Sequence, residues 1–255
     1  MLTLKNVSAG YGGGDVLHDV SFTIAAGDRL AVMGANGCGK STMLRAIAGV
    51  LPHRGEVLLQ SRSTTRMKRR EIARHIAMLA QISGIYFSYS VFDTVMMGRY
   101  LHMQDRVFGA PTEEDRARVE ACLEAVDLLD MQDREITQLS GGQLQRVFLA
   151  RTFAQEPSII LLDEPTNHLD LRYQIELTDY LETWVQEGQR AVVAALHDVN
   201  LALHFCNKAL ALQAGRTRAL GEIDEITSGP LLEEVYGTDV VGYMQASLRL
   251  WEGVV

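Results

Sequence analysis

An α/β fold with a parallel-sheet core is the class that this sequence predicts, and three features predict it. Short, continuous apolar runs at 29–33, 76–80, 159–162 and 191–196 read as strands buried on both faces. Helix-like segments separate them, the clearest with Leu44, Ile47, Ala48 and Leu51 on one face and Gly49 and Pro52 at its end. The runs stop at a glycine-rich loop, a glutamine, a pair of carboxylates and a histidine, and the carboxyl ends of parallel strands are where such sheets bind ligands.

Taken in order, 2–7 and 20–24 alternate apolar and polar residues like half-buried strands, with Gly12, Gly13 and Gly14 as the turn between them. Residues 29–33 form the first buried-type strand, and 57–59 reads as another. Residues 62–74 hold six basic side chains, which a solvated loop and helix face explains most simply; phosphate or lipid contact is the alternative. The run 76–80 ends at Gln81. From about 91 to 157 the chain reads as helical throughout, an insertion in the sheet core, with a capping box at Thr112 and Asp115. Strands resume at 159–162 and 191–196 with a helix between them ending near Gly188. Residues 208–220 read as a hairpin turning at Ala214 and Gly215.

Composition narrows the function. At 255 residues, 47% hydrophobic and 22% charged, the chain is ordinary globular protein, long enough for one large α/β domain or two small ones. A formal charge of −8 argues against nucleic acid as the main partner. Three scattered cysteines without a CxxC pair suit a reducing compartment. No apolar stretch approaches the roughly 20 residues a spanning helix needs. Residues 1–8 read as a strand rather than a signal peptide. A soluble protein is expected, one that reaches a membrane only through a partner.

Residues 34–41 fit G-x-x-x-x-G-K-[ST] in full, between a strand and a helix. In such a phosphate loop Gly34, Asn36, Gly37, Cys38 and Gly39 curl the backbone so that N–H groups face phosphate oxygens, with Thr42 in the helical turn behind. Lys40 reaches the β- and γ-phosphates, and the Ser41 hydroxyl can ligate Mg²⁺. The helix N-terminus and Lys40 are expected to favour the Cys38 thiolate, making it reactive and ATP-protected, a small filler residue being the equal alternative. At 159–164 an aliphatic strand ends in Asp163, expected to hold Mg²⁺ through water, and Glu164, expected as general base for the attacking water. His197, after the last core strand, could hydrogen-bond the γ-phosphate, and Gln81 could complete the metal and water shell. At Leu139, Ser140, Gly141, Gly142 and Gln143 a second helix start bares backbone donors, with Ser140 as N-cap. Two anion-binding helix starts but one phosphate loop suggest a head-to-tail dimer, each copy's second site facing the other's γ-phosphate.

This set of Tyr11, GANGCGKST at 34–42, Gln81, LSGGQ at 139–143, ILLDEP at 160–165, NHLD at 167–170 and His197 resembles the ATP-binding cassette ATPases over about residues 2–220. The resemblance implies a P-loop NTPase core of RecA-like type, an N-terminal antiparallel β subdomain and an inserted helical subdomain at about 91–157, in one domain spanning 1–255. It implies that Tyr11 stacks on adenine, that Gln81 senses the membrane partner, and that Asp170 crosses a homodimer interface. Ser140, Gly142 and Gln143 would cap the γ-phosphate in trans. ATP and Mg²⁺ are the implied ligands.

More narrowly, TNHLDLRYQ at 166–174, LHDVNLA at 196–202 and the segment 89–99 are similar to importer ATPases for iron–siderophore, haem and vitamin B12. The chain departs from their pattern at Ala35, Ala80, Leu144 and Tyr173, which bears on the cargo. The implied partners are a second copy, a polytopic membrane permease with a substrate-binding protein upstream, and no nucleic acid. The implied location is the cytoplasmic side of the cell membrane. A soluble mechanoenzyme for translation or DNA maintenance would more often carry two cassettes or a long coiled coil, and a two-component exporter ATPase is disfavoured only by the importer-like segments. Residues 86–100 hold Tyr86, Phe87, Tyr89, Phe92 and Tyr100, and with Met96, Met97 and Met103 they suit an interface that receives a partner helix. Phe92, Val95, Met96 and Met103 have helical spacing and are expected to be buried.

Overall fold

Two sheets share one core strand-and-helix layer. The computed structural model describes residues 1–80, 88–103, 110–167 and 169–251. Numbered in chain order, β1 (Leu2–Gly10), β2 (Asp15–Ile24), β4 (His53–Leu59) and β5 (Arg62–Ser63) form an antiparallel sheet in the order β2-β1-β4-β5. The larger sheet runs β10 (Arg216–Glu222), β9 (Lys208–Gln213), β3 (Arg29–Met33), β8 (Ala191–Ala195), β7 (Ile159–Asp163), β6 (Ile76–Leu79). All its pairs are parallel except the β9–β10 hairpin.

The unbroken apolar runs are explained by where alternate side chains go. Ala31, Met33, Ile160, Leu162, Val192 and Ala194 face one buried cluster, with the helical insertion and the C-terminal helices. Leu30, Val32, Ile159, Leu161, Val193 and Ala195 face the other, with the antiparallel sheet and α1 (Lys40–Ile47). A polar residue on either face would be buried without a partner.

Between β6 and β7 the chain forms α3 (Val91–Met96), α4 (Tyr100–Met103), α5 (Glu113–Glu124) and α6 (Gly141–Ala154); α2 (Arg69–Ala73) precedes β6. The block is not helical throughout. Short 3-10 turns at Met97–Arg99, Leu129–Met131 and Ile136–Gln138 interrupt it, and Asp127 takes a left-handed backbone with φ 53°. Periodicity registers the apolar face but not these corners. Thr112 does cap α5, sharing a capping box with Asp115. Val95 and Met96 are buried, whereas Phe92 and Met103 pack at the cluster's margin. After β7 come α7 (Leu171–Gln186), α8 (Val199–Phe205), and beyond β10 α9 (Ile223–Ile226), α10 (Gly229–Tyr236) and α11 (Val240–Trp251). Among the described residues no helix is long and apolar enough to cross a membrane.

Candidate active site

Parallel register brings the strand ends level. Val32 pairs with Ala195, Asp163 with Ala195, and Leu79 with Leu162, so Gly34, Glu164 and His197 leave the same edge of the sheet. The loop after β3 turns at once because Gly34 has φ 148° and passes the β9 backbone: a Cβ there would lie 2.2 Å from the Leu212 carbonyl oxygen. Gly39 starts α1 with φ 110° and offers no side-chain cap, leaving the first helical N–H groups turned outward. Lys40 folds back over the loop. Its Nζ donates to the Gly34 and Ala35 carbonyls at 2.8 and 3.2 Å, an arrangement in which phosphate oxygens can replace two neutral acceptors with charged ones.

Two later turns of chain brace this loop. Ala214 and Gly215, with φ 45° and 75°, make the tight β9–β10 turn, and Gly215 N–H donates to the Cys38 carbonyl at 3.0 Å. The Gly34 N–H donates to the Tyr236 hydroxyl, on α10, at 3.2 Å.

Asp163 ends β7, buried, with Oδ1 accepting from Ser41 Oγ at 2.8 Å. Its Oδ2 is buried without a hydrogen-bond partner. Burial raises the Asp163 pKa, and the Ser41 hydrogen bond opposes that only in part. Glu164 follows with φ 54°, a left-handed conformation that costs a non-glycine residue roughly 1–3 kcal/mol and clusters at functional sites. Its backbone N–H donates to the Ala195 carbonyl, which keeps the strained turn on the sheet. Oε1 accepts from His197 Nε2, and Oε2 accepts from Asn167 Nδ2 at 2.6 Å. Burial pushes this carboxyl up, but the His197 bond and charge, then Asn167 and Lys40, outweigh it and hold the pKa below its ordinary value. The carboxylate is therefore ionised and oriented at both oxygens.

Tyr11, Asn36, Lys40, Ser41, Glu164 and His197 line one groove, with Gly37, Gly39 and Thr42 in its floor. Tyr11 is exposed at its mouth, its hydroxyl accepting from Arg45 at 2.7 Å. Arg45 and Asn167 were not singled out by sequence. Arg45 lies one helical turn beyond Ser41, the only signal that could have found it; Asn167 falls in the NHLD stretch. Gln81, Tyr86 and Phe87 lie outside the described residues. The reactive-thiolate expectation for Cys38 is overturned: it is buried, and burial raises its pKa more than Lys40 and the loop N–H groups lower it.

A second groove holds Ser140, Gly141, Gly142, Gln143 and Asp170. Ser140 Oγ accepts from the Gln143 N–H while Gln143 Oε1 accepts from the Ser140 N–H, at 3.3 and 2.9 Å. Asp170 caps α7, accepting from the Tyr173 N–H. No described residue lines both grooves.

A phosphate loop after β3 of a parallel sheet, with a hydrogen-bonded glutamate at the end of β7 on the same sheet edge, defines a nucleoside-triphosphatase. The sequence pattern of the ABC transporter family matches residues 17–167, and the chain belongs to that family, as an ATP-binding ATPase. It is 38% identical over 247 residues to the hemin import ATP-binding protein HmuV of Pseudomonas putida, covering 94% of each chain. It is 35% identical to the petrobactin import ATP-binding protein YclP of Bacillus subtilis, covering 92% of each. Among solved structures, it matches the ATP-binding cassette MJ0796, a dimer in a post-hydrolysis state bound to ADP and Pi, with TM-score 0.77 and 30% identity. That match covers 88% of this chain and 99% of the other.

Proposed function

We propose that the chain is the ATP-hydrolysing subunit of an importer for an iron–siderophore, haem or corrinoid, acting as a head-to-tail homodimer on a separate polytopic permease. A substrate-binding protein would deliver the cargo to that permease, and the chain would sit peripherally at the cytoplasmic face of the membrane. The observation that carries this reading is the division into two grooves. One has a loop for the triphosphate and a base for water. The other joins helix N-terminal donors and Asp170 with Arg146, Leu169 and Tyr173, and none of the described residues of the first groove lines it.

In this mechanism Tyr11 packs on adenine, Gly34, Asn36, Gly37, Cys38 and Gly39 wrap the phosphates, and Lys40 leaves its loop carbonyls for the β- and γ-oxygens. Ser41 and Asp163 fit Mg²⁺: a hydroxyl and a carboxylate meet, and the carboxylate keeps one oxygen buried and unsatisfied. Held there by Ser41, Asp163 and Gln81, the ion would neutralise phosphate charge. Glu164 accepts a proton from water, while His197 and Asn167 keep its two oxygens aimed. His197 reaches the γ-phosphate from the same edge. Ser140, Gly142, Gln143 and Asp170 of the second copy close over the triphosphate. Tyr89, Met97 and Tyr100 are exposed, in keeping with a permease contact at the helical block.

Sedimentation of the Glu164→Gln chain tests the assembly: Mg·ATP should convert monomer to dimer, and a chain that stays monomeric at saturating Mg·ATP rules it out. Uptake of labelled siderophore, haem and corrinoid by the reconstituted permease complex tests the cargo class.

A further inference from the structure

Arg146 lies in the second turn of α6 and is 7% exposed. Its Nη1 donates to the carbonyls of Val126 and Asp127, at 2.8 and 3.2 Å, just past the end of α5. Its Nε is buried with no hydrogen-bond partner, and it forms no ion pair among the described residues. What faces this buried cation is a ring. The guanidinium carbon is 3.7 Å from the centroid of Tyr173, in the first turn of α7. Arg172, 5.5 Å from the same ring, is engaged by Glu176. The Tyr173 hydroxyl makes no hydrogen bond among the described residues, so the contact is made by the ring face.

The stack joins two helix starts. Arg146 and Tyr173 line the groove of Ser140 and Asp170, which cap α6 and α7 respectively. A guanidinium fixed to α5 at one end and to the α7 ring at the other leaves the first turns of α6 and α7 little freedom to slide or rotate against each other.

We infer that Tyr173 is a positioning residue for ATP hydrolysis: its ring holds Arg146 and thereby fixes the Ser140 and Asp170 caps at the spacing that engages the triphosphate bound by a second copy. This rests on the head-to-tail dimer proposed above. The nucleotide groove of the same chain does not include either residue, so binding of ATP to one copy is independent of the stack.

The test uses the full chain in the Glu164→Gln background with Mg·ATP, read by sedimentation for dimerisation and by fluorescent ATP analogue for binding to a single copy. Tyr173→Leu removes the ring and should weaken ATP-driven dimerisation by about 2–30-fold, the range cation–ring contacts span from exposed to desolvated. Tyr173→Phe keeps the ring and should dimerise like the parent. Single-copy analogue affinity should match the parent's in both. In chains that retain Glu164, Tyr173→Leu should lower kcat while Tyr173→Phe leaves it unchanged. Tyr173→Met, closer in volume, carries the same test should the leucine variant not fold. Parent-like dimerisation of the leucine or methionine variant overturns the inference. So does a phenylalanine variant as impaired as the leucine one, or loss of analogue binding to the single copy. A parent that never dimerises instead sinks the dimer reading, and this inference with it.

Discussion

Glu164 is held at both carboxylate oxygens and at its backbone, from two segments: the end of β8, through His197 and the Ala195 carbonyl, and its own turn, through Asn167 three residues on. Replacing it with glutamine preserves the volume but removes the proposed proton acceptor. Hydrolysis by Glu164→Gln should fall about 10²–10⁴-fold, with ATP affinity kept, in a phosphate-release assay beside equilibrium binding. A near-wild-type rate would show that another group takes the proton. Cys38 yields a second prediction, the reverse of what its position suggests. Since the thiolate is the reacting form and burial raises this pKa, maleimide should label Cys38 slowly in the folded chain and rapidly in denaturant. Rapid labelling of native protein, read by mass spectrometry with Cys122 and Cys206 replaced, would overturn this. Both results mark what the sequence makes legible. Motif spacing points to Lys40, Ser41, Asp163 and Glu164, because each sits in a short contiguous pattern at the end of an apolar run. It does not reveal that His197 meets Glu164 across 33 positions, nor that a cysteine in a phosphate loop is buried in the cluster that holds Leu210 and Leu212 of β9.

The helical insertion is fastened to the sheet by charge as well as by apolar packing. Arg99, nearly inaccessible, donates to Asp115 on α5 at 3.1 Å, to the Ala154 carbonyl at the end of α6 at 2.9 Å, and to Glu156 at 2.5 Å. Arg118 joins Glu156 at 3.2 Å. Glu156 sits at the return into β7 with φ 52°, where a one-residue left-handed step turns the chain from helix to strand. Burial alone would raise its pKa; the Arg99 hydrogen bond and charge, then Arg118 and His102, outweigh burial and lower it from its ordinary 4.5. A carboxyl whose folded pKa lies below its unfolded one contributes stability above the unfolded value, and that contribution is lost as pH falls through the folded value. Stability measured by urea unfolding should therefore drop below about pH 4.5 more steeply in the native sequence than in Glu156→Gln. Identical acid limbs would show the network to be neutral. None of these ties could be read from periodicity, since Arg99, Asp115 and Glu156 are separated by 16 and 41 residues and the capping box explains Asp115 without Arg99. The strands were more legible than the insertion because both faces of the parallel sheet are buried, which makes the runs unbroken. The corners in the insertion depend on 3-10 turns and positive-φ residues that leave no period behind.

Across the whole molecule, the hydrophobic interior falls into two clusters on either side of the parallel sheet, with the nucleotide groove at the edge where α1 and the strand ends meet. Neither cluster closes without residues from late in the chain: Leu210 and Leu212 belong to one, and Leu232 and Val235 to the other. The same late segments brace the phosphate loop, through Gly215 on the Cys38 carbonyl and Tyr236 on the Gly34 N–H. A chain ended after residue 228 keeps every side chain that lines the nucleotide groove but loses the Tyr236 hydroxyl. Its affinity for ATP should fall, by about two- to tenfold for one lost neutral hydrogen bond, and Tyr236→Phe should reproduce that loss by equilibrium binding. Affinity unchanged in both would mean that the loop holds its shape unaided. The order of synthesis gives this bracing a further meaning. A ribosome that has released residues 1–200 has made Tyr11, Lys40, Glu164 and His197, yet the amide of Gly34 still awaits a tyrosine some 200 positions downstream. The emerging polypeptide thus carries the described residues that line the proposed nucleotide groove before the bond that braces its loop can form, and that bond's share of affinity, about two- to tenfold, is added only once α10 has emerged.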